Sequence, residues 1–516
     1  MKRIKILPVA AALLLGVASC NLDRFPHKSI AKEKSLTSVE DARYWNANIR
    51  AQLRGAVYGS FIRLSDYQAD MVSPSSTFGN RDGVLYTWGV KSDTREVSDI
   101  YASYYSNLKN VNEFLTLISS IKANGEAAEK ALASYVADAH FVRAYYYAEL
   151  AKRFAPLYNP ATAATELCVP LVLTYNVDDR PSRATQQQVY EQIFKDIAEA
   201  KALFAKAGKP VGKPGSMTMN GDALAALEAR VYLQMRDYPK ALQAAEALIK
   251  SGRYPLVAPA ESSFEGMWFS DKSTEDILRL YVNKDDEKEL PPGVGSYFVA
   301  ITLGKGDAAY RACQPDWFPT KGIIDLFEDK DLRKWVYFNK SEKVHVSPNV
   351  FPAGEVVIVS KYRGNLALAA TTADPLWGAK PDARNYPLVL RIAEAYMIAA
   401  EAAYKTNNEA AAKQYLNTFR ASRGLDPVDG SGDALFTQIK DERTREFAFE
   451  GARLWDLKRW EMPMKRTAPQ EASKPFLSQV GLTLEIPADH FGFTWPIPHR
   501  DMQTNPNLAG QQNKGY

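Results

Sequence analysis

The chain has 516 residues, 46% hydrophobic and 24% charged. That is the composition of a folded globular body, not of a disordered, collagenous or disulfide-stapled chain. Basic residues number 64 and acidic ones 60, a formal charge of +4, so nothing argues for nucleic acid as a partner. Three cysteines and five scattered histidines supply no zinc-ligand spacing.

Lys2, Arg3 and Lys5 precede an apolar run from Ile6 to Ala18. The run is too short to span a bilayer as a helix and reads as a signal-peptide core. It ends in Val17-Ala18-Ser19-Cys20, which resembles a bacterial lipobox. Such a cysteine takes a diacylglycerol on its thiol, residues 1–19 are removed, and the new amine is acylated. Two or three acyl chains anchor stably where one does not. The competing reading is an ordinary secretory signal with an incidental cysteine. It is the weaker one, because Cys20 closes the apolar run directly after small residues. Of the cysteines left, Cys168 and Cys313 either pair or sit buried as thiols, and the sequence does not choose.

Beyond the leader, helical periodicity dominates. Thr37-Ser38-Val39-Glu40 has capping-box spacing ahead of Tyr44, Ile49 and Leu53. Further helices are predicted over 101–121, 133–154 and 187–204. Two helical hairpins follow, 223–235 with 239–250 and 389–405 with 409–422. Gly252 and Gly424 lie just past their ends, with Pro255 and Pro427 beyond, which is helix-stop chemistry. A last long helix is predicted over 433–459.

The two hairpins repeat each other. Ala229, Tyr232, Ala241, Ala245 and Leu248 stand at the same offsets as Ala400, Ala403, Ala412, Leu416 and Phe419. Small residues at these spacings resemble the tetratricopeptide pattern, in which paired helices approach closely. Ala144 and Tyr147 read as half of a third copy, completed after a Pro- and Thr-rich insertion from Ala155 to Ala184. From Ala258 to Asn385 the character changes to Pro, Gly, aromatics and β-branched residues, with Val356–Val359 the best strand candidate. Met71 to Trp88 is similar. Loops of this length in a helical protein usually carry function.

Five segments, in order along the chain, resemble the SusD/RagB family of outer-membrane nutrient-binding lipoproteins of the Bacteroidetes. They are Cys20 with Leu22-Asp23 and Pro26; Phe141 to Leu150 leading to Pro170-Leu171; Arg391 to Tyr396 with Ala400-Glu401-Ala402; Glu442-Arg443, Arg445 to Gly451, Arg453 and Asp456 to Trp460; and Trp495 to Pro498, Asn505-Pro506, Gln512-Asn513 and Gly515-Tyr516. The resemblance implies a mainly α fold with tetratricopeptide-like helical hairpins and a loop-rich binding region. It implies a leader over 1–19, an N-terminal helical part over 20–257, and a C-terminal part over 258–516 carrying the loop-rich insertion 258–385, packed as one unit. It further implies a lipid-anchored outer-membrane protein facing the cell exterior. Such a protein needs no cofactor or metal, binds without cleaving, and delivers oligosaccharides to a SusC-like TonB-dependent transporter. Some relatives capture peptides instead, and a lipid-anchored scaffold that binds only proteins is the other alternative.

Glu442, Glu446 and Glu450 share a helical spacing, as paired catalytic carboxylates or metal ligands would. Interleaved Arg443, Arg445, Arg453, Lys458 and Arg459 favour an ion-pair network instead. Gly-x-Ser-x-Gly, phosphate-loop and His-Glu-x-x-His signatures are missing. Sugar rings stack their C–H faces on aromatics while Asn, Asp and Arg satisfy hydroxyls. The binding candidates are therefore Phe78, Asn80 and Arg81 in the early loop, with Asp66 and Asp70 upstream, and Trp268, Tyr297, Tyr310 and Trp317 in the later region. For each aromatic the competing reading is simple packing.

Overall fold

The first described helix begins one residue later than the Thr37–Glu40 spacing predicts. In the computed structural model, which describes residues 35–282, 298, 301–303, 311–368, 383–470, 476–478 and 484–516, Ser38 caps α1 (Val39–Ala56). Its hydroxyl accepts from the Asp41 amide, and the Asp41 carboxylate accepts from the amides of Thr37 and Ser38 at 2.9 and 3.0 Å. An aspartate three residues on thus closes the box, and Glu40 pairs with Arg43 instead. Ala42, Ile49, Leu53 and Ala56 form the buried stripe of α1.

A short α2 (Ser60–Gln68) leads to β1 (Val72–Pro74) and a single helical turn, α3 (Gly83–Tyr86). Two long helices follow, α4 (Arg95–Leu117) and α5 (Glu126–Phe154). The Pro- and Thr-rich insertion then forms β2 (Leu167–Pro170) and β3 (Arg183–Thr185), which pair antiparallel. Thr185 caps α6 (Gln186–Lys206) with Gln188 completing the box, and α6 packs along α5. Arg143 of α5 ties the two together through Asp196 (2.7 and 2.9 Å) and reaches Asn112 of α4 at 3.0 Å. The third copy of the hairpin therefore exists, with the insertion between its helices.

Next come α7 (Gly221–Met235) and α8 (Tyr238–Lys250), capped by Asn220 and Asp237. The loop-rich section contains α9 (Glu261–Phe269) and β4 (Asp276–Arg279). It continues with β5 (Ile301–Leu303), β6 (Arg311–Cys313), β7 (Trp317–Pro319), α10 (Lys321–Asp325) and α11 (Lys334–Tyr337). After these run β8 (Phe338–Asn339), β9 (Val344–Val346), β10 (Asn349–Phe351) and β11 (Ile358–Val359). β10, β9, β6 and β5 form a small sheet in that order, and β11 pairs with β8. Only the second half of the predicted Val356–Val359 strand is a strand.

The second hairpin starts later than its hydrophobic pattern suggests. Leu388–Arg391 is a strand, β12, antiparallel to β4, and α12 (Ile392–Lys405) begins after it. The apolar run Leu388-Val389-Leu390 fits either state, and the open edge of β4 decides it. α13 (Glu409–Ala421) completes the hairpin. The repeat positions are interior in both copies: Ala229, Ala241, Ala245 and Leu248 in one, Ala400, Ala403, Ala412, Leu416 and Phe419 in the other. Each large apolar side chain buried there stabilises by about 1.5–3 kcal/mol. Tyr232 is half-buried and stacks on Phe194 of α6 at 4.6 Å.

The predicted helix over 433–459 is two helices, α14 (Gly432–Glu446) and α15 (Arg453–Arg459). Between them the chain turns through Phe449 and Gly451, with φ of 65° and 72°. A Cβ on Gly451 would lie 2.8 Å from the Ile62 carbonyl oxygen, so close approach to α2 requires glycine here. Cys168 and Cys313 are each buried, and no disulfide joins them.

Candidate functional site

The two loop regions marked out by sequence meet. β1 pairs antiparallel with β7, with Ser73 opposite Phe318 and Pro74 opposite Trp317, and the Ser75 amide donates to the Asp316 carbonyl at 2.8 Å. Above this join the chain from Ser75 to Trp88 curls back on itself. Gly79, Asn80, Asp82 and Trp88 all lie in the left-handed region, with φ of 66°, 55°, 58° and 56°. Three non-glycine residues in that region within so short a segment store backbone strain, which concentrates at functional sites. Asp82 is held by a buried ion pair with Arg63. At Gly83 a Cβ would fall 2.0 Å from the Asn80 Oδ1, so the turn closes only with glycine there.

Beneath the curl lies an aromatic floor. Trp317 stacks on Tyr67 at 4.0 Å and 14°, and meets Phe78 and Tyr86 at 5.5 and 5.6 Å. The Arg466 guanidinium lies 3.8 Å over the Tyr86 ring. On the outside Ser76, Thr77, Asn80, Arg81 and Gln314 are exposed, and Arg81 pairs with half-buried Asp316. Burial pushes the Asp316 carboxyl up, Arg81 opposing it and Asp82 adding to it. The rim therefore offers hydroxyl, amide, guanidinium and carboxylate groups on a stiff base, a donor-and-acceptor set suited to a polyhydroxylated ligand.

Of the sequence candidates, Asn80 and Arg81 stand on this rim. Phe78 lies under it, 8% exposed, and Trp317 is fully buried. Trp268 is buried elsewhere, edge-on to Tyr337 and Tyr362 at 6.0 and 5.4 Å, with the Lys361 ammonium 4.4 Å over its ring. These three rings have packing roles, and none offers an open face to a ligand. Cys20, Tyr297 and Tyr310 lie outside the described residues. Asp70 pairs bidentately with Arg453 (2.8 and 2.9 Å), and Asp66 accepts from the Gly451 amide, its carboxyl pushed well up by burial. Asp316, Tyr281 and Trp335 escaped the sequence reading. The last two are 50% and 40% exposed, and exposure leaves no mark in sequence.

The glutamates form the expected ion-pair network. Glu442 accepts from Arg333, Arg420 and Arg445 at 2.7–2.8 Å. Glu446 pairs with Arg333, Arg391 and Arg423, and Glu450 with Arg391 and Lys361. Glu450 stands in the turn beyond α14, not on its face. Burial would raise the Glu442 carboxyl, but the arginines, Arg333 foremost, hold it down at about 2. Glu446 is likewise held well below the ordinary range, mainly by Arg423, Arg391 and Arg333. Carboxylates this strongly held make poor proton donors at neutral pH. Among the described residues no group of three His, Cys, Asp or Glu side chains is placed to hold a metal ion.

Helical hairpins carrying long loops, whose polar ends meet over a packed aromatic floor, define a helical-repeat scaffold built for binding. The chain belongs to the SusD/RagB family. One family model, described as "SusD family", matches residues 372–516, and another, "Starch-binding associating with outer membrane", matches residues 44–233. SusD-like protein P2 of Formosa agariphila is 24% identical over the full length of both chains. Among solved structures, a SusD superfamily protein from Bacteroides thetaiotaomicron aligns with a TM-score of 0.73 and 22% identity over 91% of this chain and 99% of its own. A putative sugar binding protein from Bacteroides vulgatus aligns with a TM-score of 0.73 and 23% identity over 93% of this chain and 99% of its own. At these identities the structural likeness establishes the fold.

Proposed function

We propose that this protein is a non-catalytic, lipid-anchored binder at the cell surface that captures oligosaccharides and passes them to a SusC-like TonB-dependent outer-membrane transporter. The observation that carries the ligand class is the rim of Ser76, Thr77, Asn80, Arg81 and Asp316 on the strained segment above Trp317. Its neighbouring donors and acceptors suit the paired hydroxyls of a sugar ring. A relative described as starch-binding at the outer membrane and a neighbour described as sugar-binding support the same reading. The anchor rests on Cys20 and the transporter on family membership.

The test uses the mature chain against an array of plant, fungal and algal glycans. Retention of intact glycan, with no new reducing ends released, is the expected result. Binding to peptides and to no glycan refutes the ligand class, and release of products refutes the non-catalytic reading. Co-purification from outer membranes in mild detergent tests the partner, where recovery of the chain apart from an expressed barrel counts against it.

A further inference from the structure

A second aromatic feature lies at the surface, away from the Trp317 floor. β4 and β12 pair with Leu388 opposite Arg279, and the ladder runs one step further, the Leu280 amide donating to the Pro387 carbonyl at 3.0 Å. The next residues on the two strands are Tyr281 and Tyr386, whose rings stack with centroids 5.7 Å apart at 27°. Tyr281 is 50% exposed, and an apolar face of that size is one that folding normally hides.

The backbone under the pair is fixed. The Tyr386 amide donates to Asp271 at 3.1 Å and its carbonyl accepts from Arg279 at 3.0 Å. Arg279 and Asp271 form a buried ion pair, both side chains 1% exposed. The Tyr281 carbonyl accepts from Arg54 at 2.6 Å, and the Tyr58 hydroxyl bonds the side chain of Asn385. Tyr281 lies inside the loop-rich section and Tyr386 one residue past its end.

From this geometry, and resting on the carbohydrate reading above, we infer that Tyr281 and Tyr386 form a stacking subsite for one sugar ring of the captured glycan. A tyrosine pair with fixed backbone presents a broad ring face at little cost in conformational entropy, and its phenol hydroxyls lie at hand for sugar hydroxyls. Two rings expose far less than the roughly 800 Å² per partner that a protein interface buries. They match the C–H face of a single pyranose.

The experiment is a native affinity gel of the mature chain with starch, xylan, arabinan, galactomannan and laminarin in separate gels, run for wild type, Tyr281→Ala, Tyr281→Phe and Tyr386→Ala. The expected result is retardation of wild type by at least one glycan and binding weakened roughly 5- to 30-fold in Tyr281→Ala. Tyr281→Phe should retain most of that affinity, and the Tyr281→Ala melting temperature should stay within about 1 °C of wild type. Equal retardation of wild type and both alanine variants overturns the subsite and leaves the carbohydrate reading standing. A wild type retarded by none of the five overturns the subsite together with the reading beneath it.

Discussion

Replacing Trp317 with alanine separates packing from binding at the rim. The side chain is fully buried and touches three aromatic rings. Truncation of such a residue costs about 3–5 kcal/mol, and the Tyr67 stack places it toward the upper end. Unfolding entropy of about 2.1 cal/mol/K per residue gives about 1 kcal/mol/K for a chain of 516 residues. Trp317→Ala should therefore lower the melting temperature by about 3–5 °C. The indole Nε1 has no hydrogen-bond partner, so Trp317→Phe loses volume but no bond and should cost only about 1–2 kcal/mol. Scanning fluorimetry gives the stabilities, and glycan titration at a temperature where every variant is folded gives the affinities. A Trp317→Ala protein that melts with wild type but no longer binds glycan would refute the assignment of this ring to the floor.

The other predictions concern the rim, the ion-pair network and the anchor. Arg81→Ala removes an exposed half of an ion pair and should change stability by no more than about 1 kcal/mol while weakening glycan binding, measured by calorimetry. Glu446→Gln leaves Arg333, Arg391 and Arg423 without their shared carboxylate and should destabilise by about 3–5 kcal/mol in urea titrations. In wild type, Glu442 titrates at about 2 when folded, below the ordinary 4.5. Its contribution is complete above about 4.5 and fades as pH falls toward 2, so a melting temperature flat from pH 5 to pH 2 would contradict the network. Lys458 is buried against the carbonyls of Lys152 and Ala155, and burial lowers it to about 7 from 10.5. Its burial penalty is fully present below pH 7 and is relieved as pH rises toward 10.5, a rise in stability that Lys458→Met should abolish. Cys20→Ala should move the protein from the membrane fraction to the soluble one and end its labelling by radioactive palmitate.

Local chemistry determined the helices and the repeat. Alanine at fixed offsets, capping residues at the starts and glycine followed by proline at the ends act within a few residues, so 223–250 and 409–422 read directly as helices. The ion-pair reading of Glu442 and Glu446 also came from sequence, because arginines spaced among glutamates have few other uses. What lay beyond reach required partners distant along the chain. Leu388–Arg391 became a strand because β4 lay beside it, and the 433–459 helix broke because Gly451 had to pass the Ile62 carbonyl. Aromatics in Gly- and Pro-rich segments looked alike in sequence, yet Trp317 and Trp268 are interior and Tyr281 is open to solvent. Which ring is covered depends on β1 meeting β7 and β4 meeting β12, contacts between residues more than one hundred positions apart along the chain. Tertiary structure alone therefore decides which aromatics a ligand can reach.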